Sequence, residues 1–404
     1  MTRVVNLFDP GALDDPYPLY DRLRASEPVH RVADTNFYLV GSWPLVTEAV
    51  TRPEDFSSHL TGALVHAADG SMTVFDLDGD GSAVHVLATG DDPVHRDHRK
   101  LVLPALVAKR VRALEPVIEA TVRRLWDEGV DGGRVEWMSA MADRLPMTIV
   151  AGLLGLPEHD VESLAGWGYL STELLGGVLT TERLPAVVTA SAELAGYLHA
   201  AFAAARKAPG DNLIGDLARA CAEDRLAPDV AVLMLVQLVG AGGESTAGLL
   251  GNAARLLALD HGLQQRIRND LDLLPGFLEE VLRLESPFRT HHRHVVTDTV
   301  LGGTPLPAGS HLLLLWGAAN RDPAVFPDPH LLRLDRPTGR THLAFGKGIH
   351  FCVGAALARL EARLTLRTLL TRTRGFHMSP EPEAAQWIPS IFVRRHSRLT
   401  LDLE

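Results

Sequence analysis

Cysteine is scarce in this chain: two residues in 404. Two cannot build a disulfide framework, and an iron–sulfur cluster usually needs four. Such scarcity suits a reducing compartment, so a cytoplasmic location is expected. No Cys-x-x-Cys-His occurs, which excludes a covalently attached haem. Positive charge is also in deficit. Lys and Arg number 39 against 50 Asp and Glu, a net −11 that argues against a nucleic-acid partner. Long apolar runs are missing too. The most apolar stretch, 230–239, is interrupted by Gln237 and followed by glycines. A bilayer takes about 20 apolar residues, so no membrane span is expected. The first ten residues read as neither signal peptide nor anchor.

What is present is an ordinary globular composition, 46% hydrophobic and 22% charged. Helical periodicity dominates. It predicts helices over 109–127, 140–154, 161–175, 184–207 and 228–259, with a shorter one beginning at Asp211 and containing Cys221. The 277–283 helix is ended by Pro287. Residues 37–40 and 312–315 read as strands, 44–51 as a helix, and 391–393 with 399–401 as a terminal hairpin. Residues 56–90 carry no clear period and read as a long irregular loop. Within them, residues 76–81 mimic the start of a calcium loop. The twelfth position is Leu87 where a bidentate Glu is needed, so calcium is not expected.

The chain is organised around residues 345–361. They read Phe-Gly-Lys-Gly-Ile-His-Phe-Cys-Val-Gly-Ala-Ala-Leu-Ala-Arg-Leu-Glu. Gly346 and Gly348 permit positive φ in a loop that wraps a bulky partner. Cys352 then precedes an apolar helical run to about Thr373. Backbone amides at a helix start favour a thiolate. A thiolate so placed is a soft ligand suited to the iron of a haem. Gly354 removes a side chain near that partner, and Phe345 and Phe351 keep water from the sulfur. A lone cysteine is ordinarily a small buried hydrophobe. The pattern Phe-Gly-x-Gly-x-His-x-Cys-x-Gly followed by Ala-Leu-Ala-Arg decides otherwise. It closely resembles the haem-ligand signature of the cytochrome P450 family.

That resemblance runs from Asp15-Pro16-Tyr17 to the C-terminal strands. It implies one mainly α unit over residues 1–404 with a small β subdomain, against the two domains that length alone suggests. It implies heme b, iron protoporphyrin IX, with Cys352 as the iron ligand. His95, Arg99, Arg293 and His350 would anchor the haem propionates, with Ala241, Phe345, Gly346 and Gly354 also against the haem. Read alone, His95 and Arg99 are four apart on a basic helix face. The run 240–246, Gly-Ala-Gly-Gly-Glu-Ser-Thr, resembles the family's oxygen-binding segment. Glu244 and Ser245 would relay protons there. Ser245 stands where the family usually has Thr, and Thr246 points about 100° away around the helix. Gln237, Gly240, Arg289, Thr290 and Phe392 are expected at the substrate pocket. Arg289 either anchors an acidic ligand or turns away to a partner of its own. Glu280 and Arg283, three apart, match the family's structural Glu-x-x-Arg, with Arg336 as third partner. His291, His292 and His294 alternate faces in a strand and do not suggest a second metal.

The implied activity is a monooxygenase that inserts one atom of dioxygen into a small organic substrate. Its electrons would come from a ferredoxin or flavodoxin. Arg110, Arg112, Lys347, Arg359 and Arg363 would form a basic docking face for that partner. Two alternatives stand beside it. One is a peroxide-driven hydroxylase or oxidative coupling enzyme, and the other is a non-catalytic haem sensor or carrier.

Overall fold

The structure is a computed structural model that describes residues 5–67, 70–79, 81–180, 182–337 and 339–404. Residues 1–4 of the N-terminal segment and Asp80 of the calcium-like run lie outside it. The central element is the 32-residue helix Pro228–Leu259. Pro228 takes its first helical position, where a missing N–H costs nothing, and Asp229 follows in the first turn. By length and composition this helix is long enough and apolar enough to cross a membrane. It instead carries the core: Leu249, Leu250, Ala253, Ala254 and Leu257 pack with Trp137, Met138, Phe277, Val281, Leu364 and Leu369. A second core joins its N-terminal half to the helices Arg144–Leu154, Val161–Gly176 and Leu184–Lys207.

Two larger sheets accompany the helices. The five-stranded sheet runs in the order Val29–Arg31, Phe37–Val40, His311–Leu314, His291–Val295, Phe56–Ser57. His311–Leu314 is parallel to Phe37–Val40 and antiparallel to His291–Val295, with Leu314 opposite His291. The C-terminal strand His396–Leu403 pairs with Phe376–Met378, Ala385–Trp387 and Arg134–Glu136.

Several elements differ from the expectations. The 56–90 stretch is not irregular throughout: Gly62–His66 and Met72–Asp76 form an antiparallel hairpin. Each strand is only five residues long, too short for its alternation to stand out. Residues 391–393 are not the partner strand of the terminal hairpin; Ala385–Trp387 is. The 109–127 helix is two pieces, Ala108–Ala113 and Glu115–Gly129, with Pro116 starting the second. The 140–154 helix begins with a π turn, Met138–Ala142, before Arg144–Leu154. The apolar periodicity reads through both breaks, because it reports the buried face and not the hydrogen-bond register.

A candidate haem site around Cys352

The loop that presents Cys352 is built by its glycines. Gly346 and Gly348 have φ of +68° and +72°. A Cβ on Gly348 would lie 3.0 Å from the Val50 carbonyl oxygen, so a side chain there is strained and crowded at once. The loop closes on itself: the Cys352 amide donates to the Phe345 carbonyl at 2.9 Å. The helix Ala355–Arg372 then begins with Gly354 as its N-cap residue. Cys352 is a free cysteine, and its open surface faces a large cavity. Burial pushes its thiol up, while the Gly354 and Ala355 amides and the Arg99 and Arg359 guanidiniums work to hold it down. Of these influences, burial is the largest.

That cavity encloses about 1780 Å³ of non-atom space, part of it open to solvent. Cys352, Phe345, Gly346 and Gly354 line it on one side, and Ala241, Gly242 and Ser245 of the central helix on the other. The central helix can tolerate its glycine run because its neighbours need the room. A Cβ on Gly242 would lie 2.7 Å from a methyl of Val150. His95, Arg99, Arg293 and His350 meet at the cavity rim. The His95 and His350 rings are 4.0 Å apart. Arg99 donates to the Phe351 carbonyl and Arg293 to the His292 carbonyl, both at 2.7 Å. Neither guanidinium has an ion-pair partner among the described residues. Burial holds Arg293 down at about 10 and His350 down at about 3. The Nε2 of His350 is buried with no partner among the described residues. The buried Arg293, the half-buried Arg99 and an orphaned imidazole nitrogen call for an anion with several oxygens. A soft sulfur on one face, small residues opposite and cationic donors at the rim together fit a flat, dianionic haem.

The proton-handling residues divide. Ser245 lines the cavity and donates from Oγ to the Ala241 carbonyl at 2.8 Å. Thr246 lines it as well, contrary to the expectation from helical rotation alone. A wide cavity wraps more than one helical position. Glu244 does not line it. Its carboxylate is buried beside the Thr172 hydroxyl, which donates to it at 2.6 Å, and Arg395 at 3.5 Å. Burial raises its pKa against those two partners. Arg395 also donates to Asp143 at 3.0 Å, where burial lifts the carboxyl to about 6.

The expected substrate residues are mostly elsewhere. Gln237 lines the cavity; it accepts from the Ala88 amide and donates to the Thr89 hydroxyl, both at 3.1 Å. Gly240 packs on Gly168 and Thr172 instead. Arg289 turns away, donating to the carbonyls of Leu13 and Ser390, so the pocket anchor is corrected to a buried strut. Thr290 donates to the Ile391 carbonyl at 3.0 Å, outside the cavity wall. Phe392 stands behind the wall, stacked at 4.7 Å on Phe288, which does line it. The reason is local. Regular pairing begins only at His291, and the chain before it is joined by a single bridge, Phe288 to Val393. The family pattern, which counts four and three residues back from Arg293 to the pocket, therefore does not hold for Arg289 and Thr290 here. Sequence reasoning missed Phe288, His291 and Trp316, and also Glu361, a buried carboxyl in the cavity wall. No partner meets Glu361 Oε2 among the described residues, and burial raises its pKa well above the usual range.

The structural triad assembles away from the cavity. Arg283 donates to both Glu280 oxygens at 2.6 and 2.9 Å, and Arg336 donates to Glu280 at 3.0 Å. Beside it, Glu279 joins Arg359 (2.7 Å) to His342 (3.0 Å). The expected basic face is thus partly neutralised. Arg359 pairs with Glu279 and Arg363 with Glu115, and Lys347 sits over the Trp43 ring.

Comparison with known proteins agrees with this geometry. A family model described as Cytochrome P450 matches residues 252–398. The chain is 52% identical to Cytochrome P450 144 of Mycobacterium tuberculosis, over 98% of this chain and 91% of that one. It is 33% identical to Cytochrome P450 monooxygenase PikC of Streptomyces venezuelae, over 96% and 92%. Among solved structures, CYP109E1 from Bacillus megaterium in complex with testosterone superposes with a TM-score of 0.86 at 29% identity, covering 96% of this chain and 98% of that one. The chain belongs to the cytochrome P450 family. It is an oxidoreductase, a monooxygenase of the haem-thiolate class.

Proposed function

We propose that this enzyme holds heme b through Cys352 and inserts one atom of dioxygen into a small, mainly apolar organic molecule. Electrons would come from an external ferredoxin or flavodoxin in the cytoplasm. The observation that carries the reading is the convergence on one cavity of Cys352, the unpaired guanidiniums of Arg99 and Arg293, and the buried His350 nitrogen. When bound, the haem supplies the activation of dioxygen, and a cysteine thiolate favours O–O cleavage.

The chain's own groups do the rest. The Gly354 and Ala355 amides point at the sulfur and favour its thiolate. Arg99 and Arg293 would neutralise the propionates, and the uncharged imidazoles of His95 and His350 would hydrogen-bond them. Ser245 Oγ, its proton donated to the Ala241 carbonyl, keeps its lone pairs for a hydrogen-bond donor in the cavity. Glu244 has a raised pKa and is a proton store within one residue of Ser245. It reaches the cavity by leaving Thr172 and Arg395, and Arg395 retains Asp143 when it does. Leucine, alanine and phenylalanine side chains around the cavity exclude water and favour apolar ligands. Arg112 and Arg340, near the helix of Cys352, leave positive charge for an acidic electron donor.

The test is turnover under isotope-labelled dioxygen with a ferredoxin, its reductase and a ligand selected by spin-state absorbance. One labelled oxygen per product molecule is expected. Product without label, its oxygen drawn from water, or equal turnover with hydrogen peroxide alone, contradicts the proposal.

A further inference from the structure

His291 lies in the cavity wall on the strand His291–Val295. Its Nδ1 is 2.6 Å from the indole Nε1 of Trp316. An indole N–H only donates, so Nδ1 must be the acceptor and carry no proton. Reversing the ring would place a carbon against that N–H and leave it unpaired. The tautomer and the ring orientation are therefore both set by Trp316, which is itself 3% exposed. In a neutral imidazole the proton then resides on Nε2. Protonating Nδ1 as well would set two N–H groups against each other, and burial independently holds this histidine down at about 3. Phe288 and Phe392 stand edge-on to the ring at 5.6 and 5.5 Å and restrict its rotation. Nε2 meets no hydrogen-bond partner among the described residues.

We infer that His291 Nε2–H is a fixed, uncharged hydrogen-bond donor for one acceptor oxygen on the molecule bound in the cavity. This rests on the haem-monooxygenase reading and deepens it. The substrate class becomes a mainly apolar compound carrying a carbonyl, ether or hydroxyl oxygen. A haem propionate oxygen offers the same chemistry, so the test must separate the two sources. Trp316 acts through His291 and is a positioning residue.

The haem-loaded enzyme is titrated by Soret shift with two imidazole probes of nearly equal size, N-(para-acetylphenyl)imidazole and N-(para-ethylphenyl)imidazole. The wild type binds the ketone more tightly by about 5- to 10-fold, the worth of one hydrogen bond. His291→Phe erases that preference, and Trp316→Phe, which leaves the imidazole but frees its tautomer, reduces it. Rates of haem transfer to apomyoglobin are measured on the same proteins. Transfer accelerated by about 10-fold in both variants, with no probe preference in any protein, overturns the substrate contact and assigns the donor to the propionate. No change in either measurement overturns the inference altogether. Failure of the wild type to take up haem at all overturns the function proposed above instead.

Discussion

Ser245 and Thr246 show how one residue's role depends on which atoms it has already committed. Ser245 spends its hydroxyl proton on the Ala241 carbonyl and faces the cavity with its lone pairs. Thr246 reaches the same cavity but is only 5% exposed. Ser245→Ala is expected to raise several-fold the share of reducing equivalents lost as hydrogen peroxide, measured against product formed. Thr246→Ala should raise it less. Equal effects would mean that the two hydroxyls share the task. Arg289 gives the opposite lesson. A buried guanidinium needs acceptors, and Leu13 and Ser390 supply carbonyls. Arg289→Leu should therefore destabilise the fold by about 2–4 kcal/mol, since those carbonyls lose their donor. It should leave the relative affinity for a carboxylate ligand and its methyl ester unchanged, as titration of both would show.

Among the elements, the cysteine helix depends on a neighbour that no motif names. Burial opposes a charge on Glu279, yet Arg359 and His342 hold its carboxyl down at about 2. The group titrates lower folded than unfolded, so it contributes stability above about pH 4.5, and this is lost as pH falls toward 2. A shift of that size corresponds to about 3 kcal/mol. Glu279→Gln should lower the melting temperature by several degrees at pH 7, with the gap narrowing as the pH is brought below 4.5. A gap independent of pH would refute the linkage. The elements themselves were largely legible. The helices Leu184–Lys207 and Pro228–Leu259 have the bounds that their periodicity predicts. So, too, the glycines around Cys352 announced a loop that only positive φ allows. What periodicity could not convey was pairing at a distance. The partner of the C-terminal strand lies at Ala385–Trp387, and the Gly62–His66 hairpin is too short to show two clear periods. The inward turn of His291 and the outward turn of Arg289 follow from where a strand starts, which residue types alone do not fix.

At the scale of the whole molecule, charge and shape converge on one cavity. The chain is acidic overall at −11, yet the cavity wall carries the guanidiniums of Arg99 and Arg293. Near the cysteine helix, Arg359 and Arg363 pair with Glu279 and Glu115, whereas Arg110, Arg112 and Arg340 have no ion-pair partner among the described residues and are open to an acidic donor. Arg112→Glu should slow reduction by a ferredoxin by about tenfold at low ionic strength and less as salt screens the contact. A salt-independent loss would place the effect in the fold instead. Each of these roles depends on a haem held through the sulfur of Cys352. The most direct test is the absorbance of the reduced carbon monoxide complex of wild type and of Cys352→Ser. The wild type should show the strongly red-shifted Soret band of a thiolate-ligated haem, and the variant should lose it while still retaining some haem through its rim contacts. Persistence of the red-shifted band in Cys352→Ser would contradict the account.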